Sequence, residues 1–374
     1  MVSNMNVRIP VANAVLGHAE ANAVRDVVLS GRISAGRHVK EFEHTFAHRL
    51  NARNAITANS GTAALHLALC ALGIGPGDEV IVPSLTFIAT ANVVLYQGAE
   101  LVLSDCDPTT FNITAKNIKK HLSPRTKAIL AVEMNGLPLD YDEILPMAQA
   151  AGVPVIVDSA ESLGSSYLGQ PIGTQGLMHC FSFFPNKSIT TGEGGIVTTE
   201  DDKLANHVRM LANQGQDGRY NHIALGFNYR MTDIQAALGT QQMKRLRTTL
   251  TSKARIAESY DHAFSSEKAI GLPIRPDYVT SQSWFMYSIR LRNRTKRDRV
   301  AKALADNGIE TRVGFPPIHL QPYYLQRFGH SLDDFPSSNS AWDHKLDLPC
   351  WPGLPQRAQS EIVNTVIESV RSSE

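Results

Sequence analysis

The amino-acid sequence predicts an α/β protein with a large domain built on a mostly parallel sheet and a smaller C-terminal α+β domain. Over residues 1–250, short apolar segments alternate with segments that have helical spacing. The apolar segments are hydrophobic along their whole length, as strands are when helices cover both faces of a parallel sheet. Over residues 251–374 the pattern changes to a strand, a helix and a proline-rich stretch. We expect the N-terminal helix to pack on this smaller domain, because chain ends often lie close together.

Each predicted strand of the large domain is followed by a loop or a helix. The predicted strands are ARNAITA at 52–58, VIVP at 80–83, AELVLSD at 99–105, KAILAV at 127–132, VPVIVD at 153–158, HCFSFF at 179–184 and IVTT at 196–199. The predicted helices are RHVKEFEHTFAHRL at 37–50, AALHLALCAL at 63–72, TFIATANVVLYQ at 86–97, DEILPMAQAA at 142–151 and DDKLANHVRMLAN at 201–213. Thr232 and Gln235 form a capping-box pattern that opens a further long helix. In the smaller domain, 284–292 predicts a strand and 297–308 a helix.

The charge balance and the cysteines exclude several classes of protein. The 374 residues include 36 Lys and Arg against 35 Asp and Glu, whereas nucleic-acid-binding proteins usually have a basic excess. The four cysteines include no C-x-x-C pair, so we predict neither a metal site nor a disulfide framework. The uncharged segment 80–99 contains a proline and several polar residues, which favours a strand, a loop and a helix over a membrane span. Because no secretory signal begins the sequence, we expect a cytoplasmic protein.

Polar residues follow three predicted strands, and open parallel sheets bind their ligands beyond these carboxyl ends. Residues 59–62 (NSGT) form a turn before a helix. The free N–H groups of such a turn can bind a phosphate, or the turn serves only to cap the helix. Asp158 ends an apolar strand and requires a partner, which is a structural Arg or Lys, a metal or a ligand cation. Lys187 lies between an apolar strand and the glycine-rich turn 192–195, where it is either partly desolvated and nucleophilic or a solvated surface lysine.

Together these three features suit the cofactor pyridoxal 5′-phosphate (PLP). A helix N-terminus can hold its phosphate, a buried aspartate can keep its pyridine nitrogen protonated, and a lysine can form a Schiff base with its aldehyde. We therefore predict PLP as the cofactor, with Asp158 and Lys187 as the catalytic residues.

Long motifs of the sequence resemble those of the DegT/DnrJ/EryC1/StrS family, which are sugar aminotransferases of PLP fold type I. They follow one another over nearly the whole chain: SAGRHVKEFEHTFA, NSGTAALHLAL, GIGPGDEVIVPSLTFIATANVV, VIVDSAESLGSSY, FSFFPNKSITTGEGGIVTT, GFNYRMTDIQAALG and GIETRVGFPPIHLQPYY. The resemblance implies a PLP-dependent aminotransferase that forms a homodimer with shared active sites.

The resemblance also implies roles for single residues in these motifs. Lys187, in PNKSITTGEGG, resembles the Schiff-base lysine, and Asp158 resembles the partner of the pyridine nitrogen. Gly61 and Thr62 resemble backbone donors to the cofactor phosphate. Ser182 resembles a side-chain donor to the same phosphate.

Further residues match positions at the edge of the family's site. Phe87, in SLTFIAT, matches the aromatic ring that stacks on the cofactor, or is plain core. Asn228, in GFNYRM, matches a residue that reaches the phosphate of the neighbouring subunit, and Tyr229 and Arg230 belong to the same crossing loop. Arg230 and His319, in PPIHLQP, are candidate substrate residues, and each is alternatively structural.

Three residues depart from the commoner family pattern. Glu161 stands where many members have His or Gln near the phenolic oxygen of the cofactor ring, so we expect it to be protonated or turned toward the substrate. Glu133 and Asn135, in VEMNGLPLD, replace a His and an aromatic residue. This second departure puts the substrate rim in doubt and leaves the cofactor site unaffected.

The reaction implied by the resemblance is transfer of an amino group from an amino acid, L-glutamate by family analogy, to an NDP-4-keto-6-deoxyhexose. A 3-keto hexose or a keto-cyclitol is the alternative acceptor. Another alternative is a PLP-dependent sugar dehydratase, but in such relatives a His replaces the Schiff-base lysine, and this chain retains Lys187. A non-catalytic protein with the same fold would be expected to have lost Lys187 or Asp158.

Overall fold

A computed structural model of the protein describes residues 7–372. Its strands are β1 (Asn54–Ala58), β2 (Glu79–Pro83), β3 (Glu100–Ser104), β4 (Thr126–Val132), β5 (Val155–Asp158), β6 (Ser166–Tyr167), β7 (Gln170–Pro171), β8 (Met178–Ser182), β9 (Gly195–Thr199), β10 (Val279–Ser281), β11 (Tyr287–Arg290) and β12 (Lys345–Leu348). Its helices are α1 (His18–Leu29), α2 (Arg37–Leu50), α3 (Gly61–Ala71), α4 (Ala89–Tyr96), α5 (Ala115–Lys119), α6 (Tyr141–Ala150), α7 (Asp202–Ala212), α8 (Asp233–Phe264), α9 (Arg294–Asp306), α10 (Pro322–Phe328), α11 (Pro336–His344) and α12 (Gln356–Arg371).

The large sheet has seven strands in the order β1-β9-β8-β5-β4-β2-β3. Strands β2, β3, β4, β5 and β8 pair in parallel, whereas β9 runs antiparallel to its two neighbours, β1 and β8. The carboxyl ends of the parallel strands therefore meet at one edge of the sheet, and the predicted mostly parallel α/β fold is confirmed.

Helices cover both faces of this sheet, because alternate residues of each strand point to opposite sides. Val80 and Val82 of β2 belong to a core with apolar residues of α3, α4 and α7. Ile81, between them, belongs to a second core with residues of α2, α6 and α8. The apolar strands are thus buried on both faces, as their composition predicts.

A separate core lies in the C-terminal part of the chain. There β11 and β12 pair in antiparallel fashion, and residues of α9 and α12 pack with them. Helix α8 runs without interruption through residue 250, so Met243 and Leu246 lie in the core of the large sheet, whereas Ile256 and Tyr260 lie in the C-terminal core.

The N-terminal part of the chain divides between the two cores. Ile9 pairs with Ile309, and the Trp351 indole donates a hydrogen bond of 2.9 Å to the Pro10 carbonyl, so the start of the chain lies against the C-terminal part. The expectation that the N-terminal helix packs there is wrong for α2. Its apolar side packs against the large sheet, where Phe42 and Phe46 contact the aromatic rings at the end of β8.

The shortest elements were not predicted. The small sheet β10-β6-β7 and the short helices α5, α10 and α11 have too few residues to show a hydrophobic period. The uncharged segment 80–99 consists of most of β2, a loop and α4, as predicted. Within residues 7–372, no helix is both long enough and apolar enough to cross a membrane.

Candidate active site

A cavity of about 390 Å³ lies at the carboxyl edge of the large sheet, and we call it the central cavity. Its lining comes from the N-terminus of α3, the ends of β5 and β8, and loops of the C-terminal part. The residues that matter most for its chemistry are Gly61, Thr62, Asp158, Ser182, Lys187 and Arg312. The three strand ends singled out in the sequence therefore meet in one place.

Asp158 is the last residue of β5, and its carboxylate is held by hydrogen bonds alone. Thr90 Oγ1 donates to Oδ2 at 2.9 Å, and the Ala160 N–H donates to Oδ1 at 3.1 Å. Burial raises the pKa of Asp158, and these two bonds and the charge of Lys187 oppose that rise. Among residues 7–372 no cation forms an ion pair with Asp158, and no cluster of His, Cys, Asp or Glu could hold a metal.

Lys187 follows β8 and is largely buried, with 13% of its side chain exposed. Its Nζ lies 4.1 Å from the centre of the Phe285 ring and 3.9 Å from Glu161 Oε1. Burial lowers the pKa of Lys187, and the carboxylates of Glu161 and Asp158 counteract that effect. A lysine in these surroundings holds an unprotonated, nucleophilic amine more readily than a solvated one does.

The N-terminus of α3 provides a cradle for an anion. Ser60 caps the helix by accepting a hydrogen bond of 3.1 Å from the Ala63 N–H. The N–H groups of Gly61 and Thr62, in the first turn, have no acceptor within the helix and lie at its positive end. A Cβ on Gly61 would lie 2.7 Å from Ser182 Cβ. Glycine thus lets the helix end lie directly beside Ser182, so one anion can reach both.

Aromatic side chains border the same cavity. Phe87 lines it with 53% of its surface exposed, and its ring centre lies 5.4 Å from that of Phe315. A half-exposed ring beside a cavity provides a face on which a planar ligand can stack.

Glu161 is turned toward Lys187 and is fixed by a backbone contact. Its Oε2 accepts a hydrogen bond of 2.7 Å from the Asn135 N–H, while Oε1 faces the Lys187 amine. The Asn135 side chain in turn donates to Ser288 Oγ at 3.0 Å. Two of the departures from the family pattern, Asn135 and Glu161, are therefore in direct contact.

Glu133 does not lie on a substrate rim, and this corrects the expectation from the sequence. It is fully buried and accepts hydrogen bonds from Tyr141, Ser159 and Ser162. Burial raises the pKa of Glu133 to about 7, although these bonds oppose the rise. Asn135 is also buried, so the two replacements at 133 and 135 lie in the interior of the protein.

His179 completes this buried network in a defined tautomer. Its Nε2 accepts a hydrogen bond of 2.9 Å from the Gly176 N–H, so the proton of the neutral ring lies on Nδ1. Ser159 gives its own hydroxyl proton to Glu133 and lies 2.9 Å from Nδ1, from which it accepts. Burial lowers the pKa of His179 to about 3, so the ring is neutral near pH 7.

Comparison with known proteins identifies the kind of protein to which this cavity belongs. The model of the DegT/DnrJ/EryC1/StrS aminotransferase family matches residues 15–367. The chain belongs to this family.

Individual relatives agree with this assignment. GDP-perosamine synthase of Caulobacter vibrioides is 44% identical over 330 residues, which cover 86% of this chain and 87% of that protein. The crystal structure of the aminotransferase TlmJ from Streptoalloteichus hindustanus is similar with a TM-score of 0.92 and 33% identity, covering 98% of this chain and 99% of that one. The PLP form of Spr1654 from Streptococcus pneumoniae has a TM-score of 0.92 and 28% identity, with coverage of 98% and 99%. The predicted family is confirmed, and the protein is an aminotransferase.

Three residues matched to the family pattern lie outside the central cavity of their own chain. Asn228 is exposed, and its backbone carbonyl accepts from Asn59 Nδ2 at 3.3 Å. Arg230 donates to Asn213 Oδ1 at 2.7 Å within the same loop. His319 is fully buried, with Nδ1 2.6 Å from Ser84 Oγ, and burial lowers its pKa to about 4. A single subunit of this aminotransferase therefore does not bring them to Lys187.

The structure adds residues that sequence reasoning did not single out. Thr90 holds Asp158, and Phe285, Arg312 and Phe315 bring the C-terminal part of the chain to the cavity. Arg312 lies over both phenylalanine rings, with its Nε bonded to the buried Asp347 at 2.9 Å. Arg312 and Phe315 belong to the family motif GIETRVGFPPIHLQPYY, and this motif is the feature of the sequence from which a place in the site could have been predicted.

Proposed function

We propose that this aminotransferase moves an amino group from an amino acid to the keto group of a nucleotide-linked sugar, with Lys187 and Asp158 as its catalytic residues. The observation that carries the proposal is the central cavity itself. A buried carboxylate that forms no ion pair within residues 7–372, a desolvated lysine and a helix N-terminus all line it.

The residues of the cavity fit pyridoxal phosphate, which is the cofactor of this aminotransferase. The N–H groups of Gly61 and Thr62 and the Ser182 hydroxyl would hold the phosphate, in a space that a Cβ on Gly61 would close. Asp158 would pair with the pyridine nitrogen and keep a proton on it. When bound, the cofactor supplies an electron sink for negative charge that develops at the Cα of the amino acid.

Lys187 and the rings around it would carry the proton chemistry. The amine of Lys187, whose pKa burial lowers, would remove the proton from Cα of the donor and, in the separate reaction with the acceptor, would deliver a proton to the carbon that gains nitrogen. The Phe285 ring, whose centre lies 4.1 Å from Nζ, would limit the access of water to that amine. Glu161 Oε1, 3.9 Å from Nζ, is placed to stabilise the amine after it has taken up the proton.

We propose L-glutamate as the donor and an NDP-4-keto-6-deoxyhexose as the acceptor. The relative from Caulobacter vibrioides is named for a GDP-linked product, so guanosine diphosphate is the first nucleotide to test. A dehydratase is disfavoured, because in dehydratase relatives a His replaces the Schiff-base lysine and this chain retains Lys187.

We also propose a homodimer in which Asn228 of one subunit completes the phosphate site of the other. Asn228 is exposed and lies outside the cavity of its own chain. In the same loop Tyr220, Ile223 and Leu225 expose 77%, 59% and 88% of their surfaces. An exposed apolar loop of this kind is typical of a surface that a second protein chain covers.

A matrix of donors and acceptors tests the reaction. The purified protein with PLP is incubated with L-glutamate, L-glutamine or L-alanine and with GDP-, dTDP- or UDP-linked 4-keto-6-deoxyhexoses. We expect a product with an amino group at C4, located by NMR, and conversion of L-glutamate to 2-oxoglutarate. Nitrogen at C3, or conversion only of a 3-keto hexose or keto-cyclitol, would replace the proposed acceptor. Loss of water without gain of nitrogen would indicate a dehydratase.

A further inference from the structure

A second lysine is buried behind Lys187. Lys253 lies on α8, and only 3% of its surface is exposed. Its Nζ donates one long hydrogen bond, of 3.5 Å, to the backbone carbonyl of Phe285. The same residue places its aromatic ring 4.1 Å from Lys187 Nζ. Phe285 thus lies in contact with both amines.

The two lysines also line one narrow cavity of about 20 Å³. It lies between α8 and the N-terminal segment, and its lining includes Asn186, Gln242 and Cys350. Lys187 lines this narrow cavity and the central cavity, so it is the link between them.

No anion compensates Lys253 at close range. Within residues 7–372 no carboxylate lies within ion-pair distance of its Nζ. Cys350, its neighbour, is no counter-ion near pH 7, because burial raises the pKa of that thiol to about 11. Burial, as the main cause, and the charge of Lys187 together lower the pKa of Lys253 to about 8, whereas Cys350, once it is ionised, and Glu161 act in the opposite sense. The lysine is therefore mostly cationic at pH 7.

The charges around Lys187 come from several elements. Asp158 and Glu161, at and after the end of β5, favour a cation at Lys187, whereas Arg312 from the C-terminal part disfavours it. The repulsion between Lys187 and Lys253 is mutual, so Lys253 adds a second cation on the disfavouring side. A nearby cation is a known way to keep a catalytic lysine unprotonated.

We propose that Lys253 is a positioning residue whose buried charge acts through Lys187, holding the nitrogen of Lys187 in its unprotonated form at the pH where the enzyme works. The inference rests on the proposed role of Lys187 as the residue that carries the cofactor.

The test is a pH titration of the visible absorbance of the PLP-bound enzyme, which follows the proton on the Lys187 nitrogen. Replacing Lys253 by methionine keeps the length of the side chain and removes its charge. We expect the midpoint of the titration to rise by about 0.5–1.5 pH units in Lys253→Met and in Lys253→Gln, an order of magnitude typical of one nearby unit charge in a protein. Lys253→Arg, which keeps the charge, should stay within about 0.3 units of the wild type.

Two controls separate a charge effect from other causes. Lys244→Met removes an exposed lysine from the same helix and should leave the midpoint unchanged. Far-UV circular dichroism and the PLP content show whether each variant is folded and has bound the cofactor. If Lys253→Met fails either check, the midpoint of Lys253→Gln shows whether loss of the charge shifts the titration. Unchanged midpoints in the folded neutral variants, or an equal shift in Lys253→Arg, would overturn the inference. Cofactor that is still trapped covalently by borohydride in Lys187→Ala would instead overturn the role of Lys187.

Discussion

Burial acts in opposite directions on the two catalytic candidates, and this is the central physical property of the site at the scale of single residues. It raises the pKa of the Asp158 carboxyl and lowers the pKa of the Lys187 amine, since desolvation disfavours the charged form of either group. Local contacts then oppose the effect of burial on the pKa of each group separately. Thr90 and the Ala160 N–H favour the carboxylate, and Glu161 favours the ammonium.

Removal of the Lys187 amine tests the assignment most directly. In Lys187→Ala we expect amino transfer to fall by at least about 10³-fold, because nucleophile and proton carrier are lost together. The fold should remain, since the amine contributes no hydrogen bond to another element of the described chain. The measurement is turnover with L-glutamate and a keto-sugar nucleotide. Lys127→Ala, at an exposed lysine of β4, is the control, and full turnover by Lys187→Ala without added amine would contradict the role.

The Thr90 hydroxyl is expected to keep Asp158 ionised. Thr90→Val removes the 2.9 Å hydrogen bond to Oδ2 and lets the pKa of Asp158 rise, so the affinity for PLP should fall about tenfold, as expected for a lost bond to a charged acceptor. Thr90→Ser should keep near-wild-type affinity. Dissociation constants from absorbance titration measure the effect. Thr198→Val, which loses a buried hydroxyl bond to the Gly173 carbonyl, is the control and should leave PLP affinity unchanged.

Glu133 should make the stability of the protein depend on pH. Burial raises its pKa from 4.5 to about 7 in the folded chain, so the folded state keeps a proton that the unfolded chain releases near pH 4.5. Its stabilising contribution is complete below that pH and is lost as the pH rises through about 7. Glu133→Gln cannot lose a proton, so relative to wild type its free energy of unfolding should rise by about 3 kcal/mol between pH 4.5 and pH 7.5.

Urea unfolding at several pH values measures this difference. Glu143→Gln, at an exposed glutamate of α6, is the matched control. Parallel pH profiles for wild type and Glu133→Gln would show that the buried carboxyl does not carry the effect.

At the scale of elements, the site depends on helix ends placed by close contacts. Gly61 allows the first turn of α3 to lie against Ser182 of β8, so the positive end of a helix and a strand hydroxyl reach one anion. Helix α8 is joined in a similar way to α2. Asp233 Oδ1, at the start of α8, accepts hydrogen bonds from the N–H groups of Gly36 at 2.8 Å and Val39 at 3.0 Å.

Asp233 therefore caps α2 from a distant part of the sequence. In Asp233→Ala the Val39 N–H loses its acceptor in a buried position and the Gly36 N–H loses its acceptor in a partly buried one, and we expect a loss of about 2 kcal/mol in the free energy of unfolding. Asp233→Asn retains one acceptor oxygen and should lose less than half of that. Thermal and urea unfolding measure both variants, and a melting temperature of Asp233→Ala equal to that of wild type would contradict the capping role.

At the scale of the whole molecule, the central cavity lies where the large sheet meets the C-terminal part of the chain. The sheet supplies Asp158 and Lys187, and the C-terminal part supplies Phe285, Arg312 and Phe315. Helix α8 spans both cores without a break, so one helix packs in the interior of both parts of the chain.

The proposed homodimer extends this argument to the second subunit. If Asn228 reaches the neighbouring phosphate site, Asn228→Ala should weaken PLP binding about tenfold without changing the fold, because a hydrogen bond to a charged group is lost. Absorbance titration and size-exclusion chromatography with light scattering measure affinity and subunit number. Asn221→Ala, at another exposed asparagine of the same loop, is the control. Unchanged affinity in Asn228→Ala, or a monomer that binds PLP with full affinity, would remove the cross-subunit role.

The sequence by itself determined the alternation of strands and helices, because a strand buried on both faces must be apolar along its length, and this is readable locally. The strand ends also located the turn with Gly61 and Thr62, Asp158 and Lys187, because a parallel sheet brings such ends to one edge, and the resemblance to the family added Phe87 and Ser182; all six line the central cavity. Only the tertiary structure decided which way Glu161 faces, that Glu133 is interior, that α2 packs on the large sheet, and that Phe285, Arg312 and Lys253 surround Lys187. These outcomes depend on contacts between residues far apart in the chain and on the desolvation that those contacts cause, and neither leaves a periodic pattern in the sequence.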